Sequence, residues 1–109
     1  ACFTIEALAD IDKLNGIKHL IRGNHDNLNT SAYLTVFKEV EGMLRYKHAW
    51  LTHSPIHTDE LRGKINIHGH THFHCIDDTR YENVCMENID YTPVEWFQLI
   101  EKRKKRLGL

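Results

Sequence analysis

Long apolar runs are missing from this chain. Nothing in its 109 residues approaches the ~20 consecutive apolar positions that a membrane-spanning helix needs, and no signal-peptide pattern opens it. A membrane is therefore not an expected partner. Proline and glycine are sparse, at 2 and 6 residues, which excludes collagen-like and low-complexity chains. An excess of one charge is missing too: 14 Lys+Arg against 15 Asp+Glu gives a net charge of −1, without the basic surplus of a dedicated nucleic-acid binder. Cysteine is scarce and odd in number. Cys2, Cys75 and Cys85 contain no C-x-x-C pair, so they read as reduced thiols of a cytoplasmic protein, with Cys85 a small core residue. What remains is 41% hydrophobic and 27% charged residues, the balance of one domain with a modest core. The 9 histidines are what need explaining, because imidazole titrates near neutrality and is the commonest metal ligand.

No repeat or linker divides the chain, and its patterning alternates helices with strands, an α/β order. Leu8, Ile11 and Leu14 predict a helix over residues 4–14, stopped by Asn15-Gly16. Residues 18–22 suit a buried strand that ends at Gly23. Tyr33, Val36, Phe37 and Val40 mark one face of a second helix closed by Gly42. Residues 43–46 and 49–52 read as strands joined by a tight turn, with Ser54-Pro55 breaking the second. Ile65 and Ile67 alternate with polar neighbours in a strand that runs into His68, and residues 81–86 form another. Thr92-Pro93-Val94-Glu95 predicts a helix start with Thr92 as cap and Glu95 completing a capping box. The helix would bury Trp96, Phe97 and Ile100. The basic run from Lys102 to Arg106 could touch nucleic acid or acidic lipid, or simply complement the helix dipole.

Three polar segments each follow a predicted strand: Gly23-Asn24-His25-Asp26, Thr52-His53-Ser54-Pro55 and His68-Gly69-His70-Thr71-His72. Strand ends are where α/β architectures assemble sites. In extended backbone His70 and His72 would point to the same side, and Gly69 would let the backbone approach an ion or substrate. Neutral imidazoles suit Zn, Mn, Fe or Ni. Blander readings exist. Asn24-His25-Asp26 is also a good turn, His68 and His74 can be bystanders, and a structural zinc could use Cys75 with His70 or His72, although paired C-x-x-C or H-x₃-H spacing is missing.

Taken in order, the three segments resemble the calcineurin-like metallophosphoesterase family over most of the chain, from near Phe3 to about Trp96. Gly23-Asn24-His25-Asp26 is similar to its G-N-H-[D/E] block, Thr52-His53 to its lone histidine after a strand, and Gly69-His70-Thr71-His72 to its G-H-x-H block. Asn83-Val84 with Tyr91-Thr92-Pro93-Val94 resembles the closing strand and turn. The resemblance implies a sheet sandwich flanked by helices and metal-dependent hydrolysis of a phosphomonoester or phosphodiester. It implies that Asn24, His53 and His70 bind one divalent ion and His72 the other. His25 would face the phosphate as a charge stabiliser or proton donor, and Asp26 would orient His25. Arg22 is a candidate phosphate contact or an ordinary strand-end charge. In the family two ions ~3.5–4 Å apart clamp the in-line displacement.

The departure from the family is large. Its opening D-x-H and bridging G-D blocks are absent, and Asp10 and Asp12 lie in the predicted first helix. The resemblance thus implies one domain over residues 1–109, truncated at its start, with a half-site of three protein ligands to one ion and His72 nearby. Without a bridging carboxylate a two-ion centre in this chain alone is not expected. Uncovered strand edges point to a partner, either a second copy or a completing chain. Three functions are expected to compete. The first is a metal-dependent phosphoesterase. The second is a catalytically inactive derivative acting as a binding or inhibitory module. The third is a metal-stapled nucleic-acid binder using the basic tail.

Overall fold

The computed structural model describes residues 4–109. Cys2 and Phe3, on which one thiol assignment and the start of the family resemblance fall, lie outside the described residues. The chain is α/β, with a two-stranded and a four-stranded sheet.

Helix α1 (Ile5–Asp12) opens on Thr4, whose Oγ1 accepts the Ala7 N–H at 3.1 Å. Leu8, flanked by Ala7 and Ile11, packs on Leu20, Tyr33 and Phe37, and this is the core of the first half. The helix ends at Asp12, so Leu14 falls outside it and is exposed.

Strand β1 (His19–Ile21) pairs in parallel with β2 (Glu39–Glu41), and the Arg22 N–H extends the ladder to the Glu41 carbonyl at 2.9 Å. The expected second helix is therefore mostly not a helix. Only α2 (Thr30–Tyr33) forms, and the chain then turns at Val36 and Phe37, whose N–H groups both reach the Tyr33 carbonyl. Val40 sits in β2. Tyr33 and Phe37 remain buried as expected, but pairing with β1 overrides the helical spacing of their neighbours.

Gly42 passes the chain to the second sheet. Strands β3 (Met43–Tyr46) and β4 (Ala49–Thr52) form the expected antiparallel hairpin. Strand β4 then pairs in parallel with β5 (Ile65–His68), and β5 in parallel with β6 (Tyr81–Asn83). Although Ile65 and Ile67 alternate with polar neighbours in β5, Asn66 and His68 are as buried as Ile67, because a central parallel strand is covered on both faces. Asn66 survives there by full pairing. Its Nδ2 donates to the Trp50 carbonyl and to Thr52 Oγ1, both at 3.0 Å, and its Oδ1 accepts the Ile56 N–H at 3.0 Å.

The strand expected to reach Met86 stops at Asn83. The Asn83 side-chain oxygen accepts the Cys85 N–H at 2.9 Å, which turns the chain into a 3-10 turn (Met86–Asn88). Helix α3 (Trp96–Leu107) starts later than expected. The Thr92 hydroxyl is committed to the Asp90 carbonyl at 3.0 Å, so Glu95 caps instead and forms its box with Gln98. Trp96 and Ile100 are half-buried, whereas Phe97 is exposed. Trp96 meets Tyr46 edge-on at 5.1 Å. The Lys47 ammonium lies 5.4, 5.6 and 5.1 Å from the rings of Tyr46, Trp96 and Phe97.

The basic tail has a structural task. Arg103 and Arg106 both bind the carboxylate of Glu82, which lies buried on β6. NH1 of Arg103 stands 3.0 Å from Oε1 and NH1 of Arg106 3.0 Å from Oε2. Removing one partner of a buried ion pair leaves the other charge uncompensated, at a cost of about 3 kcal/mol. Glu82→Ala should lose about that much in urea unfolding. Arg103→Ala should cost more than Arg106→Ala, because the Arg103 side chain is 16% exposed and that of Arg106 54%.

Candidate metal centre

The first loop is closed from both ends before any ligand is considered. Asp26 Oδ2 accepts the Gly23 N–H at 2.7 Å, and the Asp26 N–H reaches the Gly23 carbonyl at 3.2 Å. Asp26 is buried and His25 exposed. Arg22 wraps the outside, with Nε on the Asp26 carbonyl at 3.1 Å, NH1 on Thr30 Oγ1 at 3.0 Å and NH2 on the Leu28 carbonyl at 2.6 Å. Its guanidinium also covers the Tyr33 ring at 5.2 Å. These bonds make Arg22 a brace for the loop.

The second loop leaves β4 at Thr52 and is stitched by Asn66, whose bonds hold Thr52 and Ile56 on either side of His53. The third turns sharply after β5. His70 has φ 71° and His72 φ 53°, both left-handed, so the extended geometry that would aim the two rings alike does not occur. Left-handed backbone costs a non-glycine residue about 1–3 kcal/mol. Asn83 offsets it: its Nδ2 donates to Thr71 Oγ1 at 3.0 Å and to the carbonyls of His72 and His74 at 2.7 and 3.0 Å. His70 then turns toward His53, and His72 toward Glu87.

Three atoms meet as a result. His53 Nε2 lies 2.7 Å from Asn24 Oδ1 and 3.0 Å from His70 Nδ1. The two imidazole rings stand edge to face with centroids 4.8 Å apart. One N–H can bridge these atoms only by being shared, so three lone-pair donors crowd round a single proton. A divalent cation takes N and O donors of this kind, so the donor set fits such an ion. The close approach also depends on Gly23. A Cβ there would come within 2.6 Å of His53 Nδ1, whereas a Cβ at Gly69 would find ordinary contacts of 3.5 and 3.8 Å. The glycine that permits the close approach of the His53 ring is Gly23.

An open cleft of about 350 Å³ lies beside these atoms, its walls including Arg22, Asn24, Met43, His53, Ile56 and His70. His72 is not part of its wall. Among the described residues, no three His, Cys, Asp or Glu side chains gather as a metal-holding group. The third donor to His53 and His70 is an amide oxygen, and His72 stands apart. Cys75 and Cys85 are free thiols, Cys75 exposed and Cys85 half-buried. His68 is buried, with Nδ1 2.8 Å from the Gly69 carbonyl. Asn66, Asn83 and Glu87 were not expected to shape the site. The only signal for Asn66 was an amide inside an apolar strand.

No protein family, curated protein or solved structure matches this chain. Among the described residues no helix is long and apolar enough to cross a membrane.

Burial, and then the neighbouring His70, hold the His53 pKa below the ordinary histidine value. The folded state therefore binds fewer protons than the unfolded chain as pH falls through about 6.5, and stability drops in that window. NMR titration should find His53 protonating below that value. Gly23→Ala should push the His53 ring aside at a cost of about 1–3 kcal/mol and move its titration midpoint. A His53 resonance unchanged in that variant would contradict the contact.

Proposed function

We propose that this chain is a metallophosphoesterase-like α/β unit that holds one divalent cation, such as Mn, Ni, Fe or Zn, through Asn24, His53 and His70, and supports hydrolysis of a phosphate ester. The observation that carries this reading is the convergence of Asn24 Oδ1, His53 Nε2 and His70 Nδ1 from three separate loops. A bound cation would polarise a phosphoryl oxygen and make hydroxide available near neutral pH.

The chain's own residues do the rest. Burial and the neighbouring His70 lower the His53 pKa, which favours the neutral ring with a lone pair to offer. His25 is exposed on the same loop as Asn24. From that position it can donate a proton to a leaving oxygen or stabilise developing charge. Asp26 fixes the loop that carries His25 by its bond to the Gly23 N–H. The donor set contains no carboxylate, so a second ion, if one is held, needs ligands from a second copy or a completing chain.

That same neutral donor set favours a second reading: an inactive derivative that acts as a binding or inhibitory module. Saturation with Mn²⁺, desalting and elemental analysis should give one ion per chain, reduced to none in His53→Ala. His25→Ala should keep the ion and lose hydrolysis of an aryl phosphate by about 10²–10⁴-fold. Equal rates for wild type and His25→Ala would sink the enzyme reading. Complex formation indifferent to chelators would favour the binding module.

A further inference from the structure

One buried imidazole has no part in the proposed function. His68 is 1% exposed, and its Nδ1 lies 2.8 Å from the Gly69 carbonyl. A carbonyl only accepts hydrogen bonds, so the proton is on Nδ1 and, in the neutral ring, the lone pair is on Nε2. Among the described residues, this Nε2 is the one buried side-chain nitrogen or oxygen without a hydrogen-bond partner. Leaving such an atom unpaired is costly, and native structures rarely do so without a use for it.

His68 lines a cavity of about 460 Å³, walled by loop 75–79, by β6 and by α3, which shares no residue with the cleft at His53. Donors in the same wall are committed elsewhere. The Tyr81 hydroxyl donates to the Ile56 carbonyl at 2.6 Å, the Asn83 and Asn88 amides serve the His72 carbonyl, and Arg103 and Arg106 hold Glu82. The wall's three carboxylates, on Asp77, Asp78 and Glu82, are matched by three cations on α3, so it selects no strongly charged ligand. Its hydrocarbon is left partly uncovered: Ile76, Ile89, Leu99 and Leu107 are only half-buried, and α3 has no fully buried residue.

We propose that this cavity binds a small uncharged molecule with a hydrocarbon body and a hydroxyl group. The hydroxyl donates to His68 Nε2, and the body lies against Leu99 and its aliphatic neighbours. Hydrocarbon burial supplies the affinity, and the single polar contact sets the orientation.

The test follows the histidine nitrogens and the Leu99 methyl groups of the full chain by NMR, at a pH above the imidazole range, with para-ethylphenol as the probe. The probe should shift His68 Nε2 and the Leu99 methyls saturably. Para-ethylanisole has a similar body without the hydroxyl donor, and about tenfold more should be needed to shift the same methyls. Leu99→Trp fills the cavity from α3 without altering the acceptor and should abolish both responses. His68→Phe keeps a ring in place and should erase the difference between the two compounds. Equal binding of the two compounds by the wild type, or binding that Leu99→Trp leaves unchanged, overturns the inference. Shifts at His53 and His70 in place of His68 overturn it as well. No shift with either compound leaves Nε2 to water, and the inference fails.

Discussion

One nitrogen ties the two halves of this molecule together. His53 Nε2, just past β4 of the larger sheet, meets Asn24 from the loop after β1 of the smaller sheet and His70 from the loop after β5. Each sheet has apolar residues of its own. Leu8, Leu20, Tyr33 and Phe37 pack by the smaller one, and Ala49, Leu61, Ile67 and Tyr81 are buried in and around the larger. Where the sheets approach at the site, the contact is polar and tight. It exists only because residue 23 has no side chain, since a Cβ there would overlap the His53 ring. A polar junction without a carboxylate leaves mutually repelling lone pairs that one proton cannot satisfy fully. Such a junction is a poor source of stability and a good place for a cation.

Charged groups, Asp26 and Arg22, brace the Asn24 loop, whereas amides support the other two loops of this junction. Asn66, buried in the middle of a parallel sheet, uses both donors of its amide and its oxygen to hold the β4 exit. Asn83 does the same for the histidine loop, binding three acceptors with one nitrogen and returning its oxygen to the Cys85 N–H. An amide offers donors and an acceptor in one plane, so it can hold a loop without adding charge beside the histidines. The strained left-handed φ values of His70 and His72 persist because these bonds over-determine the loop. The charged clamp, Glu82 with Arg103 and Arg106, binds α3 to β6 instead.

Much of this was legible in the residues, and what was not has identifiable physical causes. The hairpin and the strands over 19–21, 49–52 and 65–68 follow from alternation and turn residues, which act locally. The region from Tyr33 to Val40 misleads, because its helical spacing is real but the backbone of 39–41 finds a parallel partner in β1. That choice depends on tertiary pairing, and no local pattern encodes it. At the site, Asn24, His53 and His70 were readable as ligand-type residues after strands, and they do come together. His72 was grouped with His70 on the assumption of extended backbone, which the left-handed turn removes. Gly23 was readable only as the end of a strand. Its task depends on a ring 30 residues later, and no spacing rule reports that kind of contact.

Charge sets what the junction can accept. Its three donors include no carboxylate, and burial opposes protonation of His53. Arg22, which lines the cleft, is bonded to its own loop and faces the Tyr33 ring. Two carboxylates held by the site loops are also in use: Asp26 accepts the Gly23 N–H, and Glu87 lies against His72. A divalent ion on such donors keeps most of its charge unneutralised, and the cheapest remaining compensation is an anion entering from the open cleft. Neutral ligands therefore favour anionic ligands and substrates, whereas a carboxylate-rich centre would partly repel them. On the proposed reading, the lack of an acidic ligand weakens the hold on the metal and strengthens its pull on phosphate.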